Sequence, residues 1–124
     1  MFDHIEFSVS HLGKARQFYR PICEAIGCEE AFFDEAAGEL GFETRGVVQF
    51  LITQGEPTLP KFHLCFKASD IASVEKAYAG AIVGGGVCNG APGYRDHYAQ
   101  GYFAAFVFDP DGHNVEILFR DPSC

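Results

Sequence analysis

The sequence predicts an α+β protein built from two βαβββ modules that form a curved mixed sheet around a cleft. Two internal matches carry that prediction. Residues 4–12 (HIEFSVSHL) recur as residues 63–71 (HLCFKASDI), an offset of 59. Residues 47–52 (VVQFLI) recur as residues 114–119 (NVEILF), an offset of 67 that sets Gln49 on Glu116. A longer loop in the second copy accounts for the difference between the offsets. Each copy is then one supersecondary unit that buries its apolar face only together with the other. The expected division is module one at 1–53, a linker at 54–60 and module two at 61–124, all within a single domain.

The elements follow in order. In residues 2–9, Asp3, Ile5, Phe7 and Val9 alternate with Phe2, His4, Glu6 and Ser8, the period of a strand. Ser10 is placed to cap a helix whose inner stripe is Leu12, Ala15, Phe18, Tyr19, Ile22 and Ile26. Gly27 stops it, and Pro21 predicts a kink or an early break, because proline lacks the amide hydrogen that a helix interior needs. Segments 29–34 and 38–43 read as a hairpin turning near Gly38, and 46–53 as a strongly apolar strand. QGEPTLP at 54–60 carries two prolines and reads as the linker. Module two repeats the pattern: a strand at 61–67, a helix capped by Asp70 along Ile71, Val74, Tyr78 and Ala81, and a stop at Gly84–Gly86. A short strand at 86–89 leads into a long loop, NGAPGYRDHYAQG, and then a strand at 102–108. The turn Asp109-Pro110-Asp111-Gly112 precedes a last strand at 113–119.

Strand alternation decides where the polar residues point. Phe62, Leu64 and Phe66 meet the helix, so His63 faces the open side; His4, Gln49 and Glu116 lie opposite apolar neighbours in the same way. Helices covering one face of each sheet leave the other face open. Folding the open faces together would bring the four side chains into one cleft.

Bulk composition excludes several functions. The formal charge is −8, which repels nucleic acid and anionic membrane surfaces. No stretch approaches the ~20 apolar residues of a membrane span, and a basic, apolar leader is missing from the N-terminus. The five cysteines are odd in number and lack CxxC spacing, which suits free thiols in a reducing, cytoplasmic setting. Phosphate-binding Gly-rich loops and Ser-centred elbows are missing too.

The repeat, the opening DHIEFSVS, the second-copy HLCF and the ending FDPDGHNVEI resemble the vicinal oxygen chelate superfamily. That group includes glyoxalase I, fosfomycin and bleomycin resistance proteins and extradiol dioxygenases. The resemblance spans nearly the whole chain, and DPDGHNVE is its most specific stretch. It implies metal ligands on the first and fourth strands of each module: His4, His63 and Glu116, with Gln49 as a weak fourth. Glyoxalase I members usually carry glutamate where this chain has Gln49, a departure that removes one negative charge. Two neutral imidazoles and one carboxylate suit a divalent first-row ion (Zn, Ni, Fe or Mn) and leave positions open for substrate. A lone histidine on a polar strand face is ordinarily a hydrogen-bonded structural residue; the repeat-equivalent placement is what raises the ligand role above that. Glu116 needs a cationic partner, metal or imidazolium, because an unpaired carboxylate is costly to remove from water.

In the long loop, Arg95, His97, Tyr98 and Tyr102 combine a fixed cation with hydroxyl donors and are the candidate substrate contacts; a solvated loop is the plainer alternative. His11 and His113 flank strands and read as surface or turn residues, and Glu29, Glu30, Asp34, Glu35 and Glu39 as a solvated acidic edge. Two functions remain open. One is a metal-dependent enzyme, a lyase or isomerase of glyoxalase type with Glu116 as catalytic residue, acting on a small oxygen-bearing molecule; extradiol dioxygenase chemistry with Fe(II) and thiol addition to an epoxide are variants. The other is a metal-free binding or sequestering protein of the bleomycin-resistance kind. The resemblance also implies a homodimer.

Overall fold

The strand-period segments and the two helical stripes all become the elements their patterns call for. A computed structural model describes residues 1–59 and 61–124; Pro60, the last residue of the expected linker, lies outside them. The elements run β1 (Ile5–Val9), α1 (Leu12–Ala25), β2 (Glu29–Asp34), β3 (Glu39–Thr44), β4 (Val47–Gln54), β5 (His63–Lys67), α2 (Ile71–Val83), β6 (Val87–Tyr94), β7 (Tyr102–Phe108) and β8 (Asn114–Arg120). They form two four-stranded mixed sheets, ordered β1-β4-β3-β2 and β5-β8-β7-β6. The pairs β1–β4 and β5–β8 are parallel and the others antiparallel. Two βαβββ modules are therefore present.

The helical faces of the two sheets meet in one core. Phe7 and Val9 from β1, Leu40 and Phe42 from β3, and Phe50 and Ile52 from β4 are buried with Val107, Val115 and Ile117 from β7 and β8. Aromatic rings stitch the modules across this core, with Phe7 4.7 Å from Phe62 and Phe50 5.3 Å from Phe66. Burying each such side chain contributes roughly 1.5–3 kcal/mol. One polar tie crosses the same core: Tyr19 on α1 donates at 2.6 Å to Asp109, which is only 4% exposed. Asp109 also accepts from the backbone amides of Asp111 and His113, shaping the turn ahead of β8. Its charge and the burial of Tyr19 push that phenol well above its ordinary titration range, burial being the larger cause.

Five expectations change. Helix α1 is capped by His11, whose Nδ1 accepts from the Lys14 amide, while Ser10 bonds to Asp111 across the module boundary. Pro21 does not break α1, which runs on to Ala25. Proline leaves the Gln17 carbonyl without its helical donor, and the two helices cross closely there: a Cβ on Gly84 would lie 1.9 Å from the Gln17 oxygen, and one on Gly80 would lie 2.5 Å from the Pro21 ring. Packing against α2 thus holds the helix through its proline. The long loop is shorter than expected, because β6 extends through Tyr94 by way of two register irregularities. His113 is fully buried rather than at the surface; it stacks on Phe62 at 4.1 Å and accepts from the Phe62 amide through Nδ1. Its Nε2 has no hydrogen-bond partner, while the edge of Phe7 lies against its ring, 6.1 Å between centroids. The acidic edge is also less solvated than expected at one position, since Arg16 grips Glu30 through two bonds of 2.7 and 2.9 Å and holds its carboxyl below the usual range.

Gly84 has an ordinary backbone conformation, so alanine there is opposed by contact alone. We expect Gly84→Ala to destabilise the protein by at least about 2 kcal/mol, since backbone atoms of α1 would have to move away. A melting temperature lowered by roughly 5–10 °C checks this. Gly55→Ala, where an added Cβ meets nothing within 4 Å, should leave it nearly unchanged.

Candidate metal and substrate site

β8 is central in its sheet, flanked by β5 and β7, so a side chain on its open face is hemmed in on both sides. Glu116 occupies that position, opposite Cys65 on β5 and Phe106 on β7, and is 3% exposed. His63, at the start of β5, reaches it diagonally, with Nε2 2.8 Å from Oε1. The other imidazole nitrogen, Nδ1, lies 3.0 Å from the Asn114 carbonyl oxygen, which only accepts, so Nδ1 carries hydrogen. That contact orients the ring and leaves Nε2 to face the carboxylate. A backbone carbonyl holding the far nitrogen is the usual support for a metal-binding histidine. The donor chemistry of this pair therefore fits half of a divalent-ion site.

Tyr102, the first residue of β7, donates to the second oxygen of Glu116. Burial first, and then the Glu116 charge, raise the Tyr102 phenol far above its ordinary range, so it remains a donor at neutral pH. The Arg120 guanidinium lies 5.2 Å over its ring. Cys65 is the remaining neighbour, and its thiol is pushed up to about 12 by desolvation and by Glu116.

Beyond the expected contact set, a cavity of about 300 Å³ borders this group, lined by Asn89, Gly90, Arg95, Tyr98, Phe106 and Asn114. Phe106 stacks on His63 at 6.3 Å. Of the loop residues expected to touch substrate, Arg95 and Tyr98 line the cavity. Tyr102 is turned to Glu116 instead, with the Tyr98 ring 5.2 Å away, and His97 packs on Tyr98 at 4.3 Å. Asn89, Phe106 and Asn114 had not been singled out. For Asn114 a signal existed: it sits two residues before Glu116 and so on the same strand face. A larger cavity, about 700 Å³, lies in the outer groove between α1 and α2, away from this chemistry.

His4 and Gln49 are not part of this group within one chain. His4 precedes β1, is largely exposed and bonds to Asp3 at 2.7 Å. Among the described residues no three His, Cys, Asp or Glu side chains are close enough to hold an ion. The faces that meet inside the chain are the helical ones, so the two open faces are not brought together. Strand register also revises one equivalence. Cys65 pairs with Glu116, and its repeat partner Glu6 pairs with Leu51, so Leu51 rather than Gln49 is the counterpart of Glu116. The sequence match slipped by two residues because β4 and β8 share the same apolar alternation.

A family model of the Glyoxalase/Bleomycin resistance protein/Dioxygenase superfamily matches residues 1–117, and the chain belongs to that superfamily. Similar solved structures include a glyoxalase/bleomycin resistance protein from Albidiferax ferrireducens T118, with 24% identity, 97% of this chain and 98% of that one covered, and a TM-score of 0.77. The genomically encoded fosfomycin resistance protein FosX from Listeria monocytogenes has 20% identity, coverage of 99% and 95%, and a TM-score of 0.69. A glyoxalase/bleomycin resistance protein/dioxygenase family enzyme from Burkholderia phytofirmans PsJN has 19% identity, coverage of 95% and 97%, and a TM-score of 0.68. At these identities the likeness is one of fold. A comparison with curated proteins found no match. No helix among the described residues is long and apolar enough to cross a membrane.

The environment of Cys65 predicts low reactivity. A thiol held near 12 has little thiolate at pH 8.5, whereas an ordinary cysteine is about half ionised there. Both Cys65 and Cys124 are exposed, yet site-resolved mass spectrometry after brief iodoacetamide treatment should find Cys65 alkylated more slowly than Cys124. Glu116→Gln should speed the Cys65 reaction only in part, since desolvation is the larger cause.

Proposed function

We propose that this protein is a metal-dependent enzyme of lyase or isomerase type that acts on a small, oxygen-bearing molecule. The observation that carries the reading is a nearly buried carboxylate, Glu116, joined at 2.8 Å to a histidine whose other nitrogen is fixed by a backbone carbonyl. His63 and Glu116 would hold the ion from one module, with His4 completing the set. The open faces do not meet within a chain, so we place His4 of one copy beside His63 and Glu116 of a second, in a homodimer whose sites each draw on both subunits. A bound divalent ion would supply Lewis-acid polarisation of two substrate oxygens.

The chain's own groups perform the rest. Tyr102 keeps one Glu116 oxygen occupied, which fixes the carboxylate and leaves Oε1 as the atom free to exchange a proton. Glu116 can then serve as a base at Oε1, the oxygen that faces His63. Phe106 and Ala104 line the same face of β7 beside it, keeping water away from the reacting end.

A metal-free binding protein is the second reading, and one observation favours it: the His63–Glu116–Tyr102 group satisfies its own hydrogen bonds without an ion. Metal analysis separates the two. Protein purified without chelator should carry close to one divalent ion per site. Saturating Zn²⁺ or Ni²⁺, at ~100 times the dissociation constant, should stabilise by about 2.7 kcal/mol and raise the melting temperature by several degrees. Glu116→Ala should lose that shift. If wild type and variant respond alike to both ions, the binding reading takes its place.

Subunit exchange tests the shared site. His4→Ala and Glu116→Ala homodimers should each be inactive. Mixing them should restore activity, because one of the two sites in a hybrid dimer receives both intact halves; sites built within a single chain would stay inactive.

A further inference from the structure

Arg95 is held as though for a ligand. Its Nη1 donates to the Gly93 carbonyl and its Nη2 to the Ala91 carbonyl, both at 2.8 Å. These acceptors are available because β6 bulges between Cys88 and Gly93, which takes Ala91 and Pro92 out of the ladder with β7. Glycine is required beneath the guanidinium: Gly90 has φ +148°, and a Cβ there would lie 3.0 Å from Nη2 and 3.2 Å from the Phe106 ring. The loop that carries Arg95 is stapled shut by its amide donating to the Tyr102 carbonyl at 2.7 Å. The cation is thus positioned by backbone, with three of its five donors unspent.

No carboxylate forms an ion pair with Arg95 among the described residues, although the chain carries 17 acidic residues. The two arginines of α1, Arg16 and Arg20, are by contrast both engaged with Glu30. Around Arg95 the cavity offers the Asn89 and Asn114 amides, the Tyr98 hydroxyl and the Phe106 ring, which lies 5.5 Å from the guanidinium. Asn89 donates to the Asn114 side chain at 3.2 Å, so the two amides are mutually oriented. The wall is shared with the metal half-site, since Asn114 also fixes His63 and Phe106 stacks on it.

We propose that this cavity is an oxyanion subsite, in which the Arg95 fork and the Asn89 amide bind the carboxylate or phosphoryl end of a small substrate. A planar guanidinium with parallel N–H groups matches such an oxyanion through paired, charge-assisted hydrogen bonds. A volume of about 300 Å³ is at the small end of ligand pockets, so the anion belongs to a compact molecule whose remainder passes Phe106 toward His63 and Glu116. This names the substrate class for the enzyme proposed above and relies on that proposal only for the chemistry that follows binding.

Binding is measured on the metal-free protein, with chelator present, so its failure is distinct from failure of the metal site. ¹⁵N-resolved NMR titrations with acetate, inorganic phosphate and neutral acetamide should show saturable shifts of the Asn89 side-chain amide and the Arg95 Nε–H with an anion and none with acetamide. Arg95→Gln should weaken anion binding tenfold or more, and Arg95→Lys should fall between. Asn89→Asp, an exposed and nearly isosteric change, should weaken it by a similar factor with the fold intact by melting temperature. The tighter of acetate and phosphate assigns the group as carboxylate or phosphoryl. Absence of saturable shifts in the wild type, equal shifts with acetamide, or wild-type affinity in Arg95→Gln would overturn the proposal.

Discussion

The close crossing of α1 on α2 governs the rest of the molecule. Gly80 and Gly84 let α2 approach Pro21 and the Gln17 carbonyl to a separation at which no other side chain fits. With the helices locked together, the helical faces of both sheets must share one core, and the aromatic series Phe7, Phe62, Phe50 and Phe66 fills it. The faces without helices are then left open. The candidate site follows from that division, because the open face of the second sheet carries His63, Glu116 and Tyr102, and its edge carries Arg95.

The buried carboxylate shows how such a site is tolerated. Removing an ionised group from water without partners is costly, and Glu116 meets the cost with one hydrogen bond per oxygen, from His63 and Tyr102. Asp109 uses the same device at the module boundary, where Tyr19 and two backbone amides satisfy it. Asp109 lies deep among aromatic rings and ties modules together. Glu116 stands at an open face with a cavity beside it, the setting that the proposed chemistry requires. Two buried acids in one chain thus have different surroundings, one a sealed core and the other the border of a cavity.

Membership of the superfamily explains the architecture but leaves the reaction open, since solved relatives of similar fold share about a fifth of their residues with this chain. Specificity has to reside in the residues that line the cavity, and most of those come from the bulged β6 segment and the loop that follows it. That segment is irregular in the ladder and glycine-rich, which allows backbone carbonyls to hold a side chain in place of a neighbouring strand.

Period-2 alternation, the Asp70 cap and the duplicated HxxF strands sufficed for the two βαβββ modules and for setting His63 and Glu116 on one open face. These are local properties: each depends on residues a few places apart, and the side-chain period of a strand admits only two faces. Long-range packing decided the remainder. Pro21 breaks an isolated helix but not one clamped by Gly80 and Gly84; His113 looks like a turn residue until Phe62 and Phe7 close over it. Whether Tyr102 meets a ligand or Glu116, and whether His4 stands beside His63 or apart from it, depends on how strands distant in sequence are aligned and which faces come together. Alternation names the face of a residue, whereas only tertiary structure supplies the neighbour across from it.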